Sequence, residues 1–565
     1  MTHRHNHPGP FTLRLESLES RRLLSAGALD PSFSVDGKAT FAFGGGVSVI
    51  ANDVAVQGDG KTLVVGETIS GKHFAVARFN LDGTPDTSFG GGTGRVLTHF
   101  GGSNDYSGAN AVVIQPDGKI VVAGGTAGNI TVHYNFAVAR YNSDGSLDKT
   151  FDGDGKTSIS FGVFSGAQAH AVALQRDGKI VLAGYDFGEL SSEKDFAVAR
   201  LHANGSPDLT FNLSGKRIIG LGGQDEANAV AIDYSGTQAT NPYFGSILVG
   251  GESIRNSGNT GRFAAVRLNI VGGFINSFDG DGKLSTIVGN RARAYAKDLI
   301  IQNDGKFILA GSASSSSATE SDVALVRYNA NGTLDSTFGS GDSGTGQVLV
   351  DFGGSEQANG IVRNYDGSGL LVAGTFSGQF GVTLLNNNGS LDTTFGTNGL
   401  VRTNLGGSSG ASGIARGPGR RFLLTGGGSF STARYFETGA NLVYATVLDF
   451  AKTATETAVK PASFFVHRLE RLSVATRVYF AVGGTARYPG GLLASARDYN
   501  LDGMTSPALE IGTPYVDIPA NQTFAAVYLN PKDDARLEPN ETAIFRILSN
   551  AAYEVGTPSS VTLNI

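Results

Sequence analysis

The sequence predicts an all-β chain in two parts, a long series of repeated small sheets followed by a shorter two-sheet sandwich. Three observations carry this expectation. An LDxxF-type signal ends at Phe33, Phe89, Phe151, Phe211, Phe278, Phe338 and Phe395, in steps of 56, 62, 60, 67, 60 and 57 residues, and a period near sixty marks a repeat architecture. Within each period, apolar runs such as 120–123 (IVVA), 180–183 (IVLA) and 307–310 (FILA) lack alternation, as strands covered on both faces do. Beyond about residue 442 the period stops and alternating strands replace it.

Composition bounds the function. A chain of 565 residues exceeds one ordinary core, and repeats are the usual way past that limit. The absence of cysteine excludes a disulfide framework, a thiolate zinc site and thiol redox chemistry. A net charge of −6, from 44 basic and 50 acidic residues, leaves no electrostatic footprint for nucleic acid. No apolar run approaches eighteen residues, so no spanning helix is expected.

Residues 1–28 form a polar leader. His3, His5 and His7 read as part of a solvated tail, and no apolar core of a secretory signal follows them. Leu15, Glu16, Leu18, Glu19, Arg21, Leu23 and Leu24 resemble the LEPR-XLL motif of exported bacterial proteins, with Ser20 where the pattern has proline. That resemblance implies sorting to the cell surface or exterior. The alternative is an amphipathic helical turn with Leu15, Leu18 and Leu23 on one face.

Residues 29–436 hold the repeats. Each reads as four short strands, in the first unit 38–43, 52–57, 62–67 and 73–79. The middle strands are joined by Asp59-Gly60, and Asp117-Gly118, Asp177-Gly178, Asp304-Gly305 and Asp366-Gly367 repeat the device, supplying the positive φ angles that two-residue hairpins need. A four-stranded antiparallel sheet covered on both faces and repeated radially is a propeller blade. Seven DGK-like turns and seven FAVAR-like strands predict seven blades. The first LDxxF precedes any blade, and the seventh FAVAR-like strand, 430–434, has none of its own. The N-terminal segment is therefore expected to complete the last blade and seal a free edge. DGKIVVAG and FAVARYNSDGSLDKTF resemble the delta-60 repeat family over about 400 residues. The resemblance implies a propeller-like domain of large extracellular proteins and carries no catalytic residues.

Two recurring charges invite a binding reading. Asp30, Asp86, Asp148, Asp208, Asp335 and Asp392 precede a Ser or Thr, and Arg78, Arg140, Arg200, Arg267, Arg327 and Arg434 close the FAVAR strands. One residue per unit favours an Asx turn for each Asp and an Arg bridging to it or to backbone carbonyls. Ile275 and Leu384 replace one Asp and one Arg, so strict pairing within a unit is not required. Asp152-Gly-Asp154-Gly155 and Asp279-Gly-Asp281-Gly282 begin like calcium loops but lack the twelfth-position carboxylate, and read as plain turns. Gly406 to Gly410 and Asp342-Ser343-Gly344 only echo serine-nucleophile motifs, inside Gly-rich loops. His170 and His202 read as structural histidines. No catalytic residue is assigned. Function is sought instead where the repeat is broken, in the expanded hairpin 233–246 and in 312–321, with a tolerated surface insertion as the equal alternative for either.

After a linker at 437–443, residues 444–565 carry strand patterns at 463–467, 477–482, 524–529, 543–548 and 560–565, about what a sandwich needs. GGTARY from Gly483, Asp498-Tyr499, IPANQT from Ile518, Asp533-Asp534, Glu538 and Asn540-Glu541-Thr542 resemble a Calx-beta domain, an immunoglobulin-like β-sandwich. The resemblance implies calcium held by Glu456, Asp498, Asp533, Asp534 and Glu538. Hard oxygens clustered from three loops suit that ion. The acidic run that completes such sites does not follow Ile565, so the carried-over site is incomplete, and solvated acidic loop ends are the alternative.

The expected function is an exported or cell-surface binding or adhesion scaffold with calcium as cofactor, its partner an extracellular protein or polysaccharide. The competing expectation is a propeller hydrolase or lyase acting on an extracellular polymer. Convergence of unrepeated His, Asp, Glu, Tyr or Arg residues on the axis would favour the second.

Overall fold

The computed structural model describes residues 26–437 except 70–72, 102–105, 128–133, 164–165, 189–192, 256–259, 316–319, 340–344, 406–409 and 429, and thereafter 442–446, 462–468, 476–484, 499–502, 515–519, 524–531, 542–548, 554–555 and 560–564. The leader motif at 15–24 lies outside the described residues. Among those described, every regular element is a β-strand or an isolated bridge. The chain divides into a unit at Ala26–Thr438 and a second beginning at Gly439.

The first unit contains seven four-stranded antiparallel sheets among its described residues. They are numbered here by their first strands: Val49–Val56, Tyr106–Ile114, Gly166–Leu174, Gln224–Ile232, Arg293–Ile301, Glu356–Arg363 and Ala411–Arg416. Sheet 3 is representative, running Gly166–Leu174, Ile180–Phe187, Lys194–Leu201 and Lys216–Ile219 in spatial order. The short strand after each LDxxF thus ends the preceding sheet, whereas sequence reasoning assigned it to the start of the next unit. This offset by one strand is what lets the ends of the unit meet. Lys38–Ala39 pairs with Ser431–Phe436 and serves as the outer strand of sheet 7.

Packing follows from the doubly covered strands. Each sheet buries both faces against its neighbours in seven apolar clusters, each spanning two adjacent sheets. One cluster joins Leu423 and Phe430 of sheet 7 to Val49 and Val64 of sheet 1, so the series closes on itself as a β-propeller does. The seven LDxxF phenylalanines are all fully buried between sheets.

The Asp-Gly turns differ from expectation. Only the glycine has positive φ, 84° at Gly60, and the Gly60 N–H donates to the Gln57 carbonyl while the Gln57 N–H donates to that of Lys61. This is a three-residue loop, a type I turn with glycine at the left-handed position, and the Asp59 carboxylate accepts from the Lys61 N–H at 3.1 Å.

Every first strand carries a β-bulge, and these bulges organise the centre. In sheet 3, Ala169 pairs with Gly184 and Ala171 with Ala183, leaving His170 as the extra residue. Asn52, Asn110, Asn228, Lys297, Asn359 and Ser412 are its counterparts. The partner strand supplies glycine at each bulge because a Cβ on Gly184 would lie 1.9 Å from the Gln168 carbonyl oxygen.

In the second unit, a five-stranded and a four-stranded sheet form two layers. Phe464 of the first faces Phe480 and Phe545 of the second, with ring centroids 6.0 and 4.8 Å apart.

Candidate functional site

The repeated charges turn out to be structural staples. Arg78 donates from Nε to Asp86 Oδ2 at 2.6 Å, and the same bond recurs as Arg140–Asp148, Arg200–Asp208, Arg327–Asp335 and Arg434–Asp30. Each Arg also donates from Nη1 to a backbone carbonyl of the next sheet, Ser143, Ala203, Ile270, Asn387 and Leu81 respectively. Each Asp closes an Asx turn on the following Ser or Thr, as Asp148 does on Thr150. Burial, which alone would raise the Asp86 carboxyl, is outweighed by hydrogen bonds from Ser88 and Lys61 and by Arg78, so it stays ionised far into acid.

The two irregular units complete this account. Where Ile275 replaces the Asp, Arg267 is fully buried and donates to Asp233 Oδ2 at 2.6 Å, from the expanded hairpin 233–246. Tyr243 of that hairpin lies under the guanidinium, 4.6 Å from centroid to Cζ. The insertion therefore replaces a lost internal counter-ion. Where Leu384 replaces the Arg, it sits in the apolar core and Asp392 keeps its turn to Thr394, half-exposed. Asp154 and Asp281 each cap a following Lys N–H at 2.9 Å, as plain turns do. Residues 342–344 and 406–409 lie outside the described residues.

The site that breaks the repeat lies on the axis. The first strands of all seven sheets line a cavity of about 580 Å³. Four bulge residues keep the repeated form: Asn52, Asn110, Asn228 and Asn359 each donate from Nδ2 to a carbonyl of the next sheet, at 2.7–2.9 Å. His170, Lys297 and Ser412 depart from it. His170 was expected to be structural, but its bulge turns it into the cavity lining. Because Asn228 Nδ2 is committed to the Ala296 carbonyl, its Oδ1 accepts from His170 Nδ1 at 3.0 Å, which leaves Nε2 with its lone pair in the neutral ring.

Charged groups that do not recur in every unit gather beside it. Glu226 lies 3.4 Å from His170 Nδ1 and takes a 2.6 Å bond from Lys194 Nζ. Glu252 pairs across the strands with Glu226 and lies 3.3 Å from Lys297 Nζ. A polar chain runs on through Tyr185, Gln168, Tyr106 and Glu67, Tyr106 donating to Glu67 at 2.8 Å. Burial, which alone would raise Glu226, is outweighed by His170 and Lys194, so this carboxyl is held below its ordinary value. Burial pushes Glu252 up to about 7 against the pull of Lys297, and lowers His170 against the pull of Glu226. Two carboxyls on adjacent strands are thus driven apart in acidity.

Asp53 and Asp298 also line the cavity, each one residue past its bulge. Each accepts from its own strand and from the next sheet, Asp53 from Val112 N–H at 2.9 Å and Asp298 from Ile361 N–H at 2.8 Å. Burial raises them to about 7 and about 6. A raised carboxyl contributes stability that is full below its unfolded value near 4 and lost as pH rises through 6 to 7. Melting scans from pH 8 to pH 5 are therefore expected to rise by a few degrees, and Asp53→Asn with Asp298→Asn to flatten that rise. An unchanged slope in the double variant would remove these two groups as its source.

Sequence reasoning missed this constellation, although one signal was available. A glycine inside each second strand, following IVVA, IVLA and FILA at Gly124, Gly184 and Gly311, marks a bulge opposite it. Conversely, Glu456, Asp498, Asp533, Asp534 and Glu538 all lie outside the described residues.

A family model described as a domain of unknown function (DUF5122), beta-propeller, matches residues 57–89, 115–151, 175–211, 302–338 and 369–395. The first four stretches run from the DGK turn to the LDxxF phenylalanine, and the fifth begins just past its turn. The chain is a β-propeller repeat protein. No curated protein matches it. Among solved structures, hydrazine synthase of Kuenenia stuttgartiensis is similar at 11% identity, covering 66% of this chain and 92% of its own, with a TM-score of 0.39. An α-L-arabinofuranosidase of Fusarium graminearum has 8% identity, 73% and 97% coverage and a TM-score of 0.36, and prolyl oligopeptidase B of Galerina marginata 12%, 76% and 57%, and 0.36. Likeness at this level carries no argument about activity. No helix among the described residues is long and apolar enough to cross a membrane.

Proposed function

We propose that the protein is an exported, cell-surface binding scaffold, a seven-bladed β-propeller joined to a Calx-beta β-sandwich, whose axial cavity takes a hydroxyl-rich ligand such as a unit of extracellular polysaccharide. The observation that carries this reading is the gathering of His170, Glu226 and Lys297 on the cavity wall, with Lys194 and Glu252 paired to them from behind, a set that does not recur around the ring. Symmetric residues hold a scaffold together, whereas a ligand site needs groups that differ around it. Amides, carboxylates, an imidazole and an ammonium offer both donors and acceptors to sugar hydroxyls. The LEPR-XLL-like leader supports export.

The test is retention of the full chain on a panel of immobilised bacterial and plant polysaccharides. His170→Ala and Glu226→Gln are expected to weaken retention at least tenfold while leaving the melting temperature within a few degrees. Retention on some member that neither substitution alters would sink the axial assignment.

A second reading, a hydrolase or lyase for such a polymer, is favoured by the divergent Glu226 and Glu252 acidities, since one ionised and one protonated carboxyl is what general acid-base chemistry requires. New reducing ends released by the wild type and lost in Glu226→Gln would decide for it.

Calcium is proposed to stiffen the C-terminal module through Glu456, Asp498, Asp533, Asp534 and Glu538. Calorimetric titration with calcium chloride is expected to give saturable heat that Asp533→Ala with Asp534→Ala reduces. A wild-type titration without heat would leave the module with its fold and no ion.

A further inference from the structure

Three strand ends meet where sheet 5 adjoins sheet 6. Asp322 begins the third strand of sheet 5, Asp322–Tyr328; Asp351 follows its outer strand, Gln347–Val350; and Glu356 begins the first strand of sheet 6. One carboxylate oxygen from each lies within 4.8 Å of the other two. Acidic groups gather at many surfaces without a ligand, and proximity alone decides nothing. Glu356 is what sets this cluster apart. Its side chain is 0% exposed, and its Oε1 is buried with no hydrogen-bond partner among the described residues. Oε2 has only a 3.5 Å approach from the Phe352 N–H.

A buried carboxylate oxygen without a donor is destabilising, and the fold does nothing locally to relieve it. The backbone instead holds it in place. Glu356 N–H donates to the Ser321 carbonyl at 2.7 Å, and Ser321 Oγ donates to the Glu356 carbonyl at 2.8 Å, which locks the start of sheet 6 to the residue preceding Asp322. Arg291 pairs with one oxygen of Asp322, and the exposed Arg402 attracts Glu356 more weakly. Three carboxylates against the one paired guanidinium leave an excess of negative charge.

We infer that Asp322, Asp351 and Glu356 form a calcium site at the junction of sheets 5 and 6, with the Glu356 carboxylate as its buried ligand. Carboxylate oxygens all within 4.8 Å of one another can share one calcium ion, which takes hard oxygens at about 2.3–2.6 Å. The burial and mutual repulsion that raise Asp322 and Glu356 are what a divalent cation would reverse.

The repeat itself supplies a contrast. Asp195 and Asp225 stand at the Asp322 and Glu356 positions where sheet 3 adjoins sheet 4, and Asp225 is likewise 0% exposed, with Oδ2 accepting from the Leu221 N–H at 2.6 Å and Oδ1 buried with no hydrogen-bond partner among the described residues. The third carboxylate is missing there, with Gly220 in the place of Asp351. The calcium site is therefore assigned to one junction, and it stands independently of the axial cavity.

The experiment is calorimetric titration of chelator-treated full chain with calcium chloride, in an Asp533→Ala, Asp534→Ala background that removes the C-terminal carboxylates. Saturable heat is expected to persist there and to weaken at least tenfold on Glu356→Gln or Asp351→Asn. Asp351 is exposed, so its substitution leaves the fold intact. Without calcium, Glu356→Gln is expected to melt at or above its parent, because repulsion is relieved. Absence of heat in the background chain, or heat that neither substitution alters, would overturn the assignment.

Discussion

Asp233→Ala is expected to destabilise the propeller by about 3–5 kcal/mol, read as a lowered midpoint in urea unfolding. Arg267 is fully buried, its only anionic partner among the described residues is Asp233 at 2.6 Å, and the hairpin that carries Asp233 has no other counter-ion to offer. Removing that carboxylate leaves a guanidinium in an apolar wedge between Phe278, Phe307 and Tyr243. Burial already lowers the Arg267 pKa against the pull of Asp233. The mechanism makes a sharper forecast. Ile275 occupies the repeat position of Asp148, and its N–H donates to the Arg267 carbonyl as that of Asp148 does to Arg140. Ile275→Asp should therefore recover a large part of the loss in the Asp233→Ala background. Additive effects of the two substitutions would mean that the hairpin stabilises by packing and not by charge.

Asp30→Ala is expected to cost a similar amount, and to act on closure of the ring. Asp30 Oδ2 accepts from Arg434 at 2.8 Å and from Arg421 at 2.6 Å, so its loss takes a carboxylate from two cations at once. The N-terminal segment is otherwise held to sheet 7 by the Lys38–Ala39 pairing, the Leu29–Tyr435 bridge and the backbone bonds that join Gly27, Ala28, Asp30 and Gly37 to Arg434 and Phe436. The equivalent Asp148→Ala removes the same kind of pair inside a continuous sheet. Limited proteolysis separates the two cases: early cleavage before residue 49 in Asp30→Ala, but not in Asp148→Ala, is the expected result. Equal cleavage of both would show that the segment does not depend on this ion pair.

Much of the architecture was legible before any coordinates. The LDxxF and DGK signals act through neighbours a few residues away, as Asx turns and left-handed glycines do, so their recurrence reads directly as recurring strands and corners. Closure was legible too, because an unmatched LDxxF at one end faced an unmatched strand at the other. Two readings failed for local reasons. The Asp-Gly turns contain one left-handed residue and not two, since a type I turn needs only its last position there. The strand after each LDxxF crosses to the preceding sheet, which a linear list of strands cannot reveal.

The axial site was not legible in the same way. His170 looks like one more residue of a strand, and only the bulge turns it toward the axis. Glu226 and Lys297 lie 56 and 127 positions further along the chain. The hairpin 233–246 resembled a tolerated surface insertion because nothing near it in sequence names Arg267 as its partner. By itself the sequence determined the period, the all-β class, the corners and the closing segment, because each rests on short-range backbone preference repeated many times. The tertiary structure alone decided which departures from the period meet, because convergence on an axis, and the burial that shifts acidities there, arise only when distant sheets pack into a ring.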